Sequence, residues 1–271
     1  MEKGSLSTNG EDETVLPANV SAVVQVGATI RRSMGPWSPA VHAVLQYLEA
    51  VGFDGAPRFR GIDDHGREVL TRLEGYTPPE ADLPYITDDR LAAVGRLIRE
   101  LHGALAGFRL PAGVRWYRRL GSAEDEHLPI CHLDIHPPNI VFRTGSPVGF
   151  IDWDLTSPAP HAWEIARAAW LLVPLADDAR CRAKGWADPP DRYQRLRTFC
   201  DAYELEPGAR QGFTQRAMQM AQICADQVCA AAREGVPAAR WLVEDVGFPR
   251  IVQRDIAWMQ QAAAAIDGGL A

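Results

Sequence analysis

The sequence predicts an α+β protein in which a small β-rich lobe precedes a larger helical lobe. Two observations lead to this prediction. Residues 20–75 contain short β-type runs around one helix, whereas the chain from Trp163 onward is mostly helical in pattern. A chain of 271 residues is long enough for one large domain or two modest lobes, each with a buried core.

Short motifs place the elements of the small lobe. SAVVQVG and ATIRRSM are β-type runs that meet at a turn on Gly27. SPAVHAVLQYLEAVG predicts a helix with Ser38 as N-cap and Pro39 at its first position, ending at Gly52. APRFRGIDDHGREVLTRLEG is typical of a β-hairpin with its tip at residues 64–66.

A proline-rich segment, YTPPEADLP, separates this lobe from the helical one, whose first helix starts from a Thr87 cap. Two short β-like runs, NIVFR and VGFID, flank a TGSP turn within residues 130–154. We therefore expect a disordered acidic and polar tail over residues 1–16, a small β-rich lobe over 17–75 and a helical lobe over 76–271.

Composition argues against several classes of protein. A net charge of −7 argues against a broad nucleic-acid-binding surface. No apolar stretch has the length of a membrane helix, and the start of the chain lacks the apolar core of a signal peptide. Five cysteines without a CxxC pair predict a reduced, cytoplasmic protein. We expect neither a nucleic-acid partner nor a membrane partner.

The segment CHLDIHPPNIVF, residues 131–142, and the later GFIDWD carry the side chains with the clearest chemistry. One interpretation is a hydrolytic zinc site made of His132, Asp134 and His136 with a bound water. That site leaves Asn139 and Asp152 without a role, and no further group has ligand spacing. A second interpretation is a polar hairpin without chemistry.

Phosphoryl transfer uses more of these residues. The reaction needs a carboxylate that accepts or orients the proton of the attacking hydroxyl, and oxygen ligands for Mg²⁺. An Asp and an Asn five residues later can direct both side chains from one tight loop into a cleft. A second Asp after the next hairpin can approach the same metal. Asp134, Asn139 and Asp152 fit these three places.

The run H-x-D-x-H-P-x-N-I-V followed by I-D-W-D resembles the catalytic loop and metal-binding segment of the aminoglycoside phosphotransferase and choline kinase superfamily, whose members are relatives of the protein kinases. The resemblance covers roughly residues 15–175, including the helix that ends in Leu-His and the segment PAPHAWEIARAAW. It implies a protein-kinase-like two-lobed fold, with a reduced nucleotide lobe over 17–75 and an acceptor site in the helical lobe.

The resemblance also implies roles for single residues. Asp134 would be the catalytic base, and His132 would support the catalytic loop. Asn139 and Asp152 would hold Mg²⁺. Glu164 would cap a helix or order the catalytic loop.

The nucleotide would contact Arg31, which falls at the lysine position of the family, and the hinge residues Arg72 and Leu73. Arg32 is the alternative to Arg31. Arginine can bind phosphate with two hydrogen bonds, but it is not a neutral replacement for lysine.

Three features of the chain differ from the family pattern. The loop VLPANVSAVV, where a phosphate-binding loop is expected, has no glycine. The acidic residue expected on the first helix falls on Val41 or His42, and the only carboxylate of that helix, Glu49, lies two turns later. Leu133 stands where the family usually has glycine.

The function implied by the resemblance is transfer of the γ-phosphoryl group of ATP or GTP, with Mg²⁺, to a hydroxyl of a small antibiotic-like or metabolite-like molecule. Asp154 and Glu164 favour a cationic acceptor. The altered small lobe leaves a second hypothesis open, in which a catalytically weak kinase-like protein acts by binding, for example as an immunity or sequestering factor.

Overall fold

The computed structural model describes residues 5–6, 13–16, 23–117 and 127–270. The strands of these residues are β1 (Ser5–Leu6), β2 (Glu13–Leu16), β3 (Val23–Val26), β4 (Thr29–Arg32), β5 (Phe59–Asp63), β6 (Glu68–Thr71), β7 (Ile130–Cys131), β8 (Ile140–Arg143), β9 (Ser146–Phe150) and β10 (Ser157–Pro158). The helices are α1 (Ser38–Ala50), α2 (Asp88–Leu105), α3 (His161–Leu172), α4 (Asp178–Ala183), α5 (Arg192–Tyr203), α6 (Pro207–Arg210), α7 (Phe213–Arg233), α8 (Pro237–Glu244) and α9 (Phe248–Leu270).

The first part of the chain forms one six-stranded sheet in the order β1-β5-β6-β4-β3-β2. Strands β2 to β6 pair antiparallel, and β1 pairs parallel with β5. Gly27 closes the β3–β4 turn with a φ of 55° and Gly66 closes the β5–β6 turn with a φ of 73°. This sheet, followed by a mostly helical part, confirms the predicted α+β fold.

The sheet includes two segments of the expected disordered tail. Ser5–Leu6 pairs with β5, and Glu13–Leu16 pairs with β3 along its whole length. The Glu13 carboxylate also accepts a hydrogen bond of 2.7 Å from Arg67. The prediction of disorder over residues 1–16 was wrong for these two strands, because backbone pairing stabilises a short segment whose composition is polar. The rest of that tail lies outside the described residues.

Helix α1 lies beside the sheet and reaches the site described below. It starts one residue earlier than predicted: Trp37 is the N-cap, and the Ser38 hydroxyl accepts a hydrogen bond from the Gly35 N–H at 3.0 Å. The helix ends before Gly52, as predicted, where φ is 78°. Its buried side packs against β5 and against the turn at residues 153–155.

The helical part packs α2 against α5, and α7 against both α3 and α9. Helix α2 starts from Thr87, whose side chain accepts the N–H of Arg90, as predicted. One hydrophobic cluster runs from α1 through α2 to α5, with fully buried members such as Leu45, Leu91 and Phe199. Burial of each such side chain stabilises the fold by roughly 1.5–3 kcal/mol. Because one cluster contains residues of α1 and of the helical part, the two parts share one core.

Two small β-pairs support the loops that carry the predicted site. Strand β7 pairs antiparallel with β10, and β8 pairs antiparallel with β9. Residues 132–139 connect β7 to β8, and Asp152 follows β9, so both segments emerge at the same end of the β8–β9 hairpin. No helix in the described ranges combines the length and the apolar character needed to cross a membrane.

The chain between the sheet and the helices is tied to this hairpin at Tyr76. Tyr76 and Phe142 exchange two backbone hydrogen bonds of 2.8 Å. Gly75 precedes them with a φ of 153°, in the region that favours glycine. We propose Gly75 as the boundary between the lobes predicted for residues 17–75 and 76–271.

The close approach at Gly75 gives a testable prediction. A Cβ there would lie 2.4 Å from the Phe142 carbonyl oxygen, and this backbone atom cannot move freely. We expect Gly75→Ala to lower the free energy of unfolding by about 2 kcal/mol, measured by urea denaturation. The control is Gly103→Ala in α2, where a Cβ meets no atom within 4 Å. It should raise that free energy by about 0.5–1 kcal/mol. Equal effects of the two substitutions would contradict the prediction.

Candidate active site

The structure brings Asp134 and Asn139 into direct contact. The Asn139 amide nitrogen donates to the Asp134 Oδ2 atom at 2.9 Å and to the Asp134 carbonyl oxygen at 3.0 Å. Asn139 is buried, and the described residues offer no partner to its Oδ1 atom. That oxygen is a suitable ligand for a hard cation such as Mg²⁺.

His132 connects this loop to the segment that ends in Asp152. Its Nδ1 atom accepts the backbone N–H of Asp134 at 3.2 Å, and its Nε2 atom donates to the Ile151 carbonyl at 3.1 Å. Both ring nitrogens are therefore used by a neutral ring, and burial lowers the pKa of His132 in agreement with this. The N–H of Ile151 also donates to the Asn139 carbonyl at 3.0 Å. These bonds place Asp152 beside Asp134 and Asn139.

Two residues of the site have left-handed backbone conformations although neither is glycine. Leu133 has a φ of 62°, and Asp152 has a φ of 61° with a ψ of 71°. Each such conformation costs about 1–2 kcal/mol. The Leu133 side chain is buried against Cys131 and Ala159, which offsets part of this cost. The positive φ also explains why a glycine suits this position in the family.

Glu164 holds the loop of residues 132–139 in place. One carboxylate oxygen accepts the backbone N–H of Leu133, and the other lies 2.5 Å from Nε2 of His102. The other ring nitrogen of His102 lies 2.8 Å from the Tyr203 hydroxyl. Burial raises the pKa of Glu164, but the hydrogen bonds from His102 and the Leu133 N–H, together with the charges of His102 and His132, outweigh it and the pKa is lowered. Of the two roles expected for Glu164, the geometry favours ordering of the loop over capping of a helix.

The Asp134 carboxylate is held by an arginine that sequence reasoning missed. Arg167 donates to its Oδ1 atom at 2.7 Å, and the Nε2 atom of His136 lies 3.8 Å from its Oδ2 atom. Burial raises the pKa of Asp134, but His136 and Arg167 outweigh it and lower the pKa below its usual value. Arg167 is itself buried in an otherwise apolar stretch of α3. A charged residue on the buried side of a helix is the signal that could have identified it.

His136 connects Asp134 to a second group of charged residues. Its Nδ1 atom lies 2.8 Å from a carboxylate oxygen of Glu80, and Glu80 also binds Lys184. Burial lowers the pKa of His136, but Asp134 and Glu80 outweigh it and hold the pKa above its usual 6.5. The zinc interpretation has no support from these contacts, because the nitrogens of His132 are used by the backbone and His136 turns toward Glu80.

One trio in the described part of the chain brings potential ligand atoms within 4.8 Å of one another, formed by His102, Cys131 and His161. His102 already uses both ring nitrogens on Tyr203 and Glu164. The hydrogen bonds of His102 to Tyr203 and Glu164 therefore account for its position in this trio.

Arg32, and not Arg31, faces the site. Its Nη1 atom donates to the Asp152 carboxylate at 3.1 Å and its Nη2 atom to Asp154 at 2.6 Å. Arg31 points to the opposite side of the sheet, as expected for neighbouring residues of a strand, and its Nε atom lies 4.0 Å from Asp63. We therefore correct the choice of Arg31 and take Arg32 as the candidate for phosphate contact.

The carboxylate that partners Arg32 comes from the sheet and not from helix α1. Glu68 lies opposite Arg32 in the β4–β6 pairing and accepts a hydrogen bond from its Nε atom. The second oxygen of Glu68 lies 2.6 Å from Nε2 of His42, on the helix where the family has an acidic residue. Burial raises the pKa of Glu68, but His42 and Arg32 outweigh it and lower the pKa. Glu68 was missed because strand pairing is not visible in the sequence.

The predicted hinge contacts are Arg72 and Leu73. The Arg72 N–H donates to the Ala28 carbonyl at 2.9 Å, and its side chain is exposed. The Leu73 side chain lies against Gly149 of β9. No described residue forms a hydrogen bond with the backbone of Leu73 or Glu74, so these groups are open to the edge of a base. Nucleotide binding by Arg72 and Leu73 stays a prediction.

Neither acidic residue used to favour a cationic acceptor is free for that purpose. Glu164 is buried and binds His102 and the Leu133 backbone, and Asp154 binds Arg32. The contacts of these two carboxylates therefore do not favour a cationic acceptor.

Comparison with known proteins assigns the chain to a class. A model of the phosphotransferase enzyme family matches residues 68–199. The trifolitoxin immunity protein of Rhizobium leguminosarum bv. trifolii is 36% identical over 208 residues, which are 74% of this chain and 77% of that protein. The chain belongs to the phosphotransferase enzyme family.

Solved structures show the same fold at low sequence identity. A choline/ethanolamine kinase family protein from Mesorhizobium loti is 16% identical with a TM-score of 0.62, covering 96% of this chain and 92% of that one. An amicoumacin kinase in complex with AMP-PNP, Ca²⁺ and its acceptor is 13% identical with a TM-score of 0.60, covering 89% and 87%. A GDP complex of aminoglycoside 2'-phosphotransferase-IIIa is 12% identical with a TM-score of 0.59, covering 91% and 93%. These matches confirm the protein-kinase-like two-lobed architecture.

The raised pKa of His136 predicts a pH-dependent contribution to stability. Because the folded pKa lies above the unfolded value, the charged ring stabilises the protein below about pH 6.5, and this stabilisation is lost as the pH rises through the folded pKa. We expect His136→Gln to lower the free energy of unfolding by about 1 kcal/mol at about pH 5.5, with a smaller loss at about pH 9. Urea denaturation at both pH values measures the difference.

The matched control is His65→Gln, at the exposed tip of the β5–β6 turn. Its free energy of unfolding should differ from that of the unmodified protein by the same small amount at both pH values. A loss for His136→Gln that is constant with pH would contradict the assigned charge network.

Proposed function

We propose that the protein is a phosphotransferase that moves the γ-phosphoryl group of ATP or GTP to a hydroxyl of a small molecule. The observation that carries this proposal is the set of hydrogen bonds that joins the loop of residues 132–139 to the segment ending in Asp152. Asn139 is bonded to Asp134, and His132 and Ile151 hold the Asp152 segment against them. A carboxylate for the acceptor hydroxyl thereby lies next to an amide and a carboxylate suited to Mg²⁺.

The nucleotide would bind between the sheet and the helical part. Arg32 is the candidate for phosphate contact, with its guanidinium beside Asp152. The open backbone of Leu73 and Glu74 would meet the base, next to Arg72. The amicoumacin kinase complex contains AMP-PNP with Ca²⁺, and the aminoglycoside 2'-phosphotransferase structure contains GDP, which supports a nucleotide and a divalent cation as ligands.

Asn139 and Asp152 fit a magnesium site by the chemistry of their donors. The Oδ1 atom of Asn139 is available, and the Asp152 side chain is half exposed with one oxygen bound to Arg32. Burial and the neighbouring carboxylates raise the pKa of Asp152 to about 6, although Arg32 acts to lower it. The metal, when bound, supplies positive charge that neutralises the phosphate oxygens.

Asp134 would act on the acceptor. Its carboxylate is ionised at neutral pH because His136 and Arg167 lower its pKa. Held by Asn139 and Arg167, it would orient the acceptor hydroxyl and take up its proton. The hydroxyl oxygen then forms a bond to the γ-phosphorus, the bond from that phosphorus to the β–γ bridging oxygen breaks, and the nucleoside diphosphate leaves. A carboxylate with a lowered pKa is a weak base, so positioning is its main contribution.

The acceptor would bind on the helical side of Asp134, among the helices that follow residue 190. Structural relatives are described with amicoumacin or gentamicin, so antibiotic-like molecules are reasonable acceptors to test.

The cysteines of the described residues are all free thiols, which suits a reducing cytoplasm as the place of action.

Substitution of the metal and base carboxylates tests the proposal directly. We expect Asp152→Ala to abolish Mg²⁺-dependent turnover of ATP or GTP, because the metal loses its charged ligand. Asp134→Ala should lower turnover by a factor of about 10²–10⁴ through loss of hydroxyl positioning. The measurement is release of radiolabelled γ-phosphate to water or to screened acceptors. Glu100→Ala, on the exposed side of α2, is the control and should keep full activity. Full activity of Asp134→Ala or Asp152→Ala would contradict the role assigned to that residue.

One observation favours a second function. The relative at 36% identity is described as a trifolitoxin immunity protein, and the Lys–Glu pair of the family is replaced in this chain by Arg32, Glu68 and His42. An immunity protein could act by sequestering a toxin without phosphorylating it. It could equally inactivate the toxin by phosphorylation, in which case the two functions are one.

Protection assays separate these possibilities. Cells sensitive to trifolitoxin would express the unmodified protein, Asp134→Ala or Asp152→Ala, at equal protein levels. If protection depends on phosphoryl transfer, both variants should fail to protect while the unmodified protein succeeds. Protection by both variants, together with no rise in melting temperature at millimolar MgATP or MgGTP, would favour sequestration.

A further inference from the structure

Among the described side chains of the sheet, Arg32 is the one that binds three carboxylates at once, and these come from two segments of the chain. Its Nε, Nη1 and Nη2 atoms donate to Glu68, Asp152 and Asp154, respectively. Glu68 belongs to the sheet, whereas Asp152 and Asp154 belong to the segment after β9. The Arg32 guanidinium, which is the candidate for phosphate contact, therefore joins the Glu68 carboxylate to the predicted metal ligand Asp152.

These contacts differ in strength in a consistent way. The Glu68 carboxylate is fully buried and both of its oxygens are bonded, one to Arg32 and one to His42. The Asp152 carboxylate is 50% exposed, and its bond to Arg32 is the longer of the two to the β9 segment, at 3.1 Å against 2.6 Å. The contact of Arg32 with Glu68 is thus firmly held, whereas its hydrogen bond to Asp152 is the one most easily broken.

The charge around Arg32 also favours a second cation. One guanidinium faces three carboxylates, and the Asp134 carboxylate next to Asp152 is paired with Arg167, so four carboxylates stand against two guanidinium groups. A divalent cation at Asp152 would supply the missing positive charge, but its approach is opposed by the resident guanidinium.

We propose that the Arg32 guanidinium and a divalent cation compete for the Asp152 carboxylate, so that metal–nucleotide binding transfers Arg32 from Asp152 to a phosphate group. This inference rests on the proposed function and concerns how its site is regulated. In the free protein Arg32 acts as a counter-ion that keeps the metal site weak. When the metal arrives with a nucleotide, the released Nη1 atom can donate to a phosphate oxygen while Nε stays on Glu68. His42 keeps Glu68 in place during this exchange.

The competition predicts opposite effects of one substitution on two ligands. Arg32→Ala should bind Mn²⁺ alone about tenfold more tightly than the unmodified protein, because the competing charge is gone. The same variant should bind the Mg²⁺ complex of AMP-PNP about tenfold more weakly, because a phosphate contact is lost. Free Mn²⁺ is measured by electron paramagnetic resonance, and nucleotide binding by calorimetry. If Arg32 had a purely structural role, Arg32→Ala would bind both ligands more weakly.

Arg31→Ala is the matched control, since Arg31 neighbours Arg32 on the same strand but points away from Asp152. It should leave both dissociation constants unchanged. Arg32→Lys keeps the charge but cannot span three carboxylates, so its Mn²⁺ affinity should lie between those of the unmodified protein and Arg32→Ala. Arg32→Gln replaces Arg32→Ala if the latter does not fold.

Unchanged or weaker Mn²⁺ binding in the neutral variants, or no Mn²⁺ binding to any of the proteins, would overturn the inference. A different outcome bears on the proposed function. If the unmodified protein binds no nucleotide, phosphoryl transfer fails as a function, while the Mn²⁺ titration still decides whether Arg32 competes with a metal.

Discussion

The geometry of the site depends on one buried carboxylate, that of Glu164. It accepts hydrogen bonds from the backbone N–H of Leu133 and from the His102 ring. These contacts connect the loop of residues 132–139 to α2 and α3 at Leu133, where the loop adopts an unfavourable left-handed conformation. A buried carboxylate with both oxygens bonded tolerates no loss of a partner, because removal of one side leaves an uncompensated charge. The same loop then presents Asp134 and Asn139 to the Asp152 segment.

The sequence was sufficient for the features that depend on local pattern. The turn at Gly27, the Thr87 cap and the β8–β9 hairpin follow from residue types at fixed spacing. The use of Asp134, Asn139 and Asp152 as one site stays a prediction from spacing and a family resemblance. The features it missed depend on contacts between distant segments. Glu68 meets Arg32 only through strand pairing, and Arg167 reaches Asp134 only through the packing of α3. The β2 strand was missed because its stability comes from its neighbour β3 and not from its own composition.

The small lobe keeps the charge balance of the family but draws it from other elements. Arginine replaces lysine, the carboxylate comes from β6, and α1 contributes His42. This arrangement places the Glu68 partner of Arg32 in the sheet, while Asp152 and Asp154 lie in the segment after β9 and α1 contacts Glu68 through His42. With Arg32 held by Glu68 and His42, the affinity for nucleotide and metal can differ from that of other family members. Such a difference is compatible with a relative described as an immunity protein.

We propose that Asp134, Asn139 and Asp152 form one site for a metal and a triphosphate. The decisive measurement is a crystal structure of the unmodified protein soaked with Mn²⁺ and a non-hydrolysable triphosphate, with anomalous scattering used to locate the metal. We expect an anomalous peak within coordination distance of Asp152 and Asn139, with the γ-phosphate facing Asp134. Triphosphate bound elsewhere, or manganese bound away from both ligands, would contradict it.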